Sequence, residues 1–170
     1  MKKSLLIISI FLFHFLSFGQ QQKLDSLKNV IAKIHQKPID TTQVRLLSDI
    51  GYDMREIDST LSKKLLKEAL SKSIALKNNY AIATSYRLLG LWYSSFDQKE
   101  NANKCHQASL IAAKKSNHLY LMAGAYFNLG NVKYWAGEYE NCIDYFLKAQ
   151  EIFDNPKIFE DKTLTTKILD

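Results

Sequence analysis

The chain is 170 residues long, 46% hydrophobic and 24% charged, with a formal net charge of +6. With an N-terminal leader set aside, that length suits one domain built on one continuous core. The lysines are scattered over helix faces and interleaved with acids, which is a solvated surface and not the basic stripe of a nucleic-acid binder, so no nucleic-acid partner is expected.

Met1-Lys2-Lys3 is a positive start, and Leu5 to Leu16 is an apolar run too short to span a bilayer comfortably. Ser17-Phe18-Gly19 supplies small residues where a signal peptidase reads. The expectation is a signal peptide over 1–19, cleaved between Gly19 and Gln20, and a periplasmic or secreted product; an uncleaved anchor is the alternative. No Cys follows the apolar run, so a lipoprotein anchor is not expected. Removing Lys2 and Lys3 takes the formal charge from +6 to +4.

Residues 20–39 carry Leu24, Leu27, Val30, Ile31 and Ile34 at helical spacing, and Pro38 ends the pattern. This predicts a leading helix that caps whatever follows. Asp40-Thr41-Thr42 opens the next helix, with Val44, Leu47 and Ile50 on one side before Gly51. Asp58-Ser59-Thr60 opens another, whose apolar face is Leu61, Leu65, Leu66, Ala69, Leu70 and Ile74. A further pair runs through Tyr86, Leu89, Gly90 and Tyr93 to the turn Phe96 to Lys99, then from about Glu100 to Lys115. A third pair runs from about Asn117 to Asp154 around the turn Ala136-Gly137-Glu138, and Asn155-Pro156 punctuates its end. Ile158, Phe159, Leu164, Ile168 and Leu169 begin another helical pattern, either a closing helix or the start of a further pair.

These pairs repeat. Ser62, Ala102 and Cys142 are forty residues apart, as are Leu66, His106 and Phe146, and Ala69, Ser109 and Ala149. Ile50-Gly51, Leu89-Gly90 and Leu129-Gly130 recur at thirty-nine and forty. Small residues at Gly130, Cys142 and Ala149 let two helices approach closely while Tyr126, Leu129, Tyr139 and Phe146 fill the space around them. A pair of this kind cannot bury its apolar face alone and needs a similar pair on either side.

The stretch Tyr126 to Ala149, YFNLGNVKYWAGEYENCIDYFLKA, resembles a tetratricopeptide repeat through Tyr126, Leu129, Gly130, Gly137, Tyr139, Cys142, Phe146 and Ala149. The period of forty resembles the long form of that family, common in bacterial signalling proteins. The resemblance implies an all-α fold, a right-handed α-solenoid of antiparallel helix pairs, with repeats at 40–79, 80–116 and 117–154 and a closing or further segment at 155–170. It also implies a concave groove lined by the first helix of each pair. Mapped here, that groove takes Arg45, Ser48, Tyr52 and Arg55 from repeat one, Thr84, Arg87, Leu91 and Ser94 from repeat two, and Phe127, Asn128, Asn131 and Tyr134 from repeat three. Asn amides can bond a peptide backbone and Arg can pair a carboxylate, so the implied partner is a peptide or protein segment. The alternative for Asn128 and Asn131 is that they brace the scaffold.

Two departures from the repeat stand out. His106 occupies the place of a large packing residue, and Lys99 stands where repeat three has Tyr139. His106 reads first as a polar-tipped core filler; a pH sensor or metal ligand is the other reading. His35, His106 and His118 fall on separate elements without zinc spacing, so no metal or cofactor is expected. Cys105 and Cys142 sit at different repeat positions, so two buried or half-buried thiols are expected over a disulfide. No nucleophile with a base and no Gly-rich phosphate loop is present, and an enzyme is not expected. The functional expectation is an exported interaction module. The alternative is the extracytoplasmic sensory region of a longer signal transducer such as a sensor histidine kinase, with a membrane segment beyond residue 170.

Overall fold

A computed structural model of the chain describes residues 21–36 and 38–158. The expected leader and its cleavage site, and the apolar positions after Ile158, lie outside the described residues. Within them every element is helical. Helix α1 covers 21–35, α2 is Thr41–Asp53 with a 3₁₀ turn Met54–Glu56 after it, α3 is Ser59–Ala75 and α4 is Asn79–Ser95. The array continues with α5 at Lys99–Lys115, α6 at Leu119–Trp135 and α7 at Tyr139–Phe153. None of the described helices is long and apolar enough to cross a membrane.

From α3 onward a helix starts every twenty residues, at Ser59, Asn79, Lys99, Leu119 and Tyr139. The period of forty is thus two equal half-periods, and local chemistry sets them. Asp58 and Asn78 accept from the backbone N–H groups of Leu61 and Ala81 at 2.9 and 3.0 Å, and His118 Nδ1 accepts from Leu121 N–H at 3.3 Å. At the other end of each helix, Lys77, Asp97, Asn117 and Gly137 take the left-handed conformation, with φ of 53°, 52°, 53° and 79°. Each is followed by a residue whose N–H reaches back five positions, from Asn78 to Ser73, Gln98 to Tyr93, His118 to Ala113 and Glu138 to Lys133. Only the last of these four turns carries the glycine that such a conformation favours. Gly137→Ala is therefore expected to cost about 1 kcal/mol, while Lys77→Gly at the corresponding position costs nothing; urea denaturation of the two variants checks the pair.

Consecutive helices turn back on one another over these short links and pack as adjacent antiparallel pairs, α2 on α3, α4 on α5 and α6 on α7, with α3 against α4 and α5 against α6 joining them. Helix α4 also touches α2 and α6, so the first helices of the pairs lie side by side. The core follows the array instead of converging on one centre. Its first part joins Ile31 and Ile34 of α1 to Val44, Leu47, Met54, Leu65 and Ala69. A second part gathers Leu66, Leu88, Leu89, Trp92 and Cys105, and a third Ala83, Ala112, Ala113 and Leu121. This all-α arrangement is compatible with an α-solenoid. Helix α1 is fastened by Gln43, whose Nε2 donates to the Ile34 carbonyl at 2.6 Å, and by His35 Nε2, 2.8 Å from Glu68 Oε1.

Within each pair the glycines set the distance of approach. A Cβ placed on Gly51 would meet Leu65 and Leu66 at 3.1 Å, one on Gly90 the His106 ring at 2.5 Å, and one on Gly130 the Phe146 ring at 2.5 Å. Ser62 and Ser109 donate from the second helix to the Gly51 and Ala83 carbonyls at 2.6 and 2.8 Å. One expectation for α3 is corrected: Ile74 is exposed and Ser73 is buried, because Ser73, four residues after Ala69, continues the buried stripe of Ser62, Leu66 and Ala69. Cys105 and Cys142 are both free and buried, and burial pushes the Cys105 thiol up to about 11.

Candidate functional site

The side-by-side first helices create a pocket between α4 and α6, about 390 Å³ in volume. Leu91 and Ser94 come from α4, Asp97 from the turn, Lys99 and His106 from α5, and Asn128, Asn131, Val132 and Trp135 from α6. The sequence-predicted groove residues Leu91, Ser94, Asn128 and Asn131 are thus brought together. Lys99 crosses the mouth: its Nζ donates to the Trp135 carbonyl at 3.0 Å and lies 3.6 Å from Asp97 Oδ1. His106 forms part of the wall and is fully buried, its ring against Gly90, and neither ring nitrogen has a hydrogen-bond partner among the described residues. Burial first, then the nearby Arg87 charge, lower its pKa from 6.5 to about 4, so the ring is neutral at pH 7.

Between α2 and α4, Arg45, Asp49, Tyr80, Thr84 and Arg87 form a polar group. Burial chiefly raises the Asp49 carboxyl; Arg45 and Arg87 oppose it and Asp53 adds to it. Burial also raises the Tyr80 phenol, against the pull of Thr84, Arg87 and Arg45. Arg87 is half-buried, and its Nε has no hydrogen-bond partner among the described residues.

The remaining predicted positions separate. Tyr52 packs against the second part of the core, with the Arg55 guanidinium 4.2 Å over its ring. Arg55 also donates to the Tyr52 carbonyl at 3.1 Å and lines a different hollow, with Glu56, Ile57, Ser59, Ser95 and Phe96. Phe127 is 49% exposed and stacks on Phe146, and Tyr134 is 47% exposed against Trp135 and Tyr139, both away from the pocket wall. Ser48, read as groove-facing, is buried, because it lies four residues after Val44 and three before Gly51 on the buried face of α2. Sequence reasoning did not place Lys99, His106, Val132 or Trp135 in the site. The usable signal for the first two was their departure from the repeat.

Among the described residues no group of three or more His, Cys, Asp or Glu side chains could hold a metal ion. What fold and pocket define together is a helical array of antiparallel pairs with a mixed amide, apolar and cationic recess on the face of its first helices. No family model matches the chain, and no curated protein matches it.

Proposed function

We propose that the protein is a non-catalytic interaction module of the tetratricopeptide-repeat type, exported from the cytoplasm, that binds a peptide or protein segment along the face of α2, α4 and α6. The observation that carries this reading is the α4–α6 pocket. Leu91, Val132 and Trp135 supply apolar surface for an anchoring side chain, and Asn128 and Asn131 supply amide donors and acceptors that suit an extended backbone. Arg87 of α4 adds positive charge near His106 of the pocket wall. The repeat resemblance at Tyr126 to Ala149, the right-handed course of the array and the signal peptide belong to the same proposal.

The test is a pull-down with the chain from Gln20 onward, from an extract of the cells that make it, comparing wild type with an Arg87→Ala, Asn131→Ala variant. Arg87→Ala alone is expected to leave stability within about 0.5 kcal/mol, since it breaks no hydrogen bond at Nε; a large loss would place Arg87 in a structural role. A partner recovered by wild type and lost in the folded double variant supports groove binding. Equal recovery by both, or none by either, removes it.

A further inference from the structure

The second helices of the three pairs, α3, α5 and α7, share one register of forty residues but differ in their outer surface. Tyr139, Ile143 and Leu147 stand four residues apart on α7 and are 61%, 55% and 58% exposed, and Tyr134 at the end of α6 meets Tyr139 edge-on at 5.8 Å. The same places hold Lys99, Asn103 and Gln107 on α5, and Ser59, Lys63 and Lys67 on α3. Repeats one and two are polar where repeat three is apolar.

A further helix stacked as α4 and α6 are does not account for this row. Helices α4 and α6 pack on α3 and α5, yet Ser59, Lys67, Lys99 and Gln107 stay exposed. The seat for such a helix is the row of Leu66 and Leu70 on α3, which recurs as Phe146 and Gln150 on α7. Tyr139 and Leu147 lie outside it, so another helix seated there would leave them open.

Charge inverts on the same helix. Helix α3 carries Lys63, Lys64, Lys67 and Lys72 against Glu68, and α5 carries Lys99, Lys104, Lys114 and Lys115 against Glu100. Helix α7 carries Glu140, Asp144 and Glu151 against Lys148. These three acids are exposed and, at spacings of four and seven, form one row bordering Leu147. In repeat two, Glu100 is joined to Lys104 at 2.6 Å; in repeat three Asp144 takes the place of that lysine, and none of the three acids has an ion-pair partner among the described residues. Two acids four residues apart repel, and a positive charge brought between them would relieve the repulsion.

We propose that the outer face of α7 docks an amphipathic helix of another protein, one with an apolar row and Lys or Arg beside it. The apolar row covers Tyr139, Ile143 and Leu147, and its cations pair Glu140, Asp144 and Glu151. A second copy of the chain fits poorly. Two α7 faces would set acids against acids, while the basic α3 and α5 offer only the isolated exposed Ile74 and Ile111. The surface is separate from the α4–α6 pocket and does not depend on what that pocket binds.

The experiment is fluorescence anisotropy of the whole chain with the labelled peptide LKKLLKLLKKLLKL, and with the same peptide carrying glutamate at every lysine. The chain's formal net charge of +6 repels a basic peptide in general, so binding must come from a local acidic surface. Wild type should bind the lysine peptide about tenfold or more tightly than the glutamate peptide, and less tightly as salt is raised. Tyr139→Lys, Ile143→Asn and Leu147→Gln together give α7 the residues that repeat two carries at those places, and should weaken binding about tenfold or more. Asp144→Lys restores the Glu and Lys pair of repeat two, and should both weaken binding and flatten its salt dependence. Urea denaturation confirms that each variant is folded. No binding of the lysine peptide, equal binding of the two peptides, or full binding by the triple variant overturns the proposal. Self-association of wild type in sedimentation without peptide, lost in the triple variant, also overturns it, because the face then belongs to a second copy.

Discussion

Replacing Gly90 with leucine is expected to destabilise the protein by at least about 1 to 3 kcal/mol, read as a lower urea midpoint at unchanged slope. An added Cβ would stand 2.5 Å from the His106 ring, and that ring is fully buried, so no outward rotation relieves the clash. Helices α4 and α5 must part along the seam that also buries Leu89 and Cys105. Gly130→Leu meets an equally short contact with Phe146, and the same penalty is expected in kind. Phe146, however, is only half-buried and stacked on exposed Phe127, so its ring can swing toward solvent. The Gly90 variant should therefore lose more than the Gly130 variant. Stability unchanged in both would contradict the register that seats residues 66, 106 and 146 on the three glycines.

Between pH 6.5 and about 4 the protein is expected to lose about 3 kcal/mol of stability through His106. Burial, and then Arg87, hold the folded pKa below the unfolded one, so across this window the unfolded chain carries a proton that the native ring refuses. The contribution is whole above pH 6.5, is lost as pH falls, and levels off below about 4, where both states are protonated. Asp49, raised chiefly by burial, acts in the opposite sense. Wild type is therefore compared with His106→Phe by urea denaturation across this range. The variant should be at least as stable as wild type at pH 7, since it removes two buried ring nitrogens without partners among the described residues, and should show less loss toward acid. Parallel pH profiles would mean that His106 is satisfied by groups or water that keep it indifferent to protonation.

The helical register was legible because the residues that set it are packed. Small residues at Ser62, Ala102 and Cys142 and large ones at Leu66, His106 and Phe146 repeat in sequence for the reason they repeat in space: the same two helices meet at the same distance. Asp40 and Asp58 were readable as helix starts because their side chains do the capping themselves. The half-period of twenty was not legible, because the turns achieve it with Lys77, Asp97 and Asn117 in a conformation for which only Gly137 gives a sequence signal. The site was legible only in part. Leu91, Asn128 and Asn131 follow from mapping the groove of the repeat that the sequence resembles, but Lys99 enters the pocket mouth through a long side chain reaching another helix's carbonyl, which no spacing rule foretells. His106 drew notice as an oddity in the repeat; that its nitrogens have no partner among the described residues is a property of the packed environment and cannot be read from its position.

The central claim is that a partner segment lies along the face of α2, α4 and α6 and enters the α4–α6 pocket. The most direct measurement replaces Asn131, in the pocket wall, with a photo-crosslinking phenylalanine derivative, and does the same at Gln107, exposed on the outer side of α5, in separate folded proteins. Irradiation in extract, followed by mass spectrometry of the adducts, should give one defined polypeptide attached at position 131 and none at 107. Attachment at 107 in place of 131, or no defined adduct at either, would contradict the account.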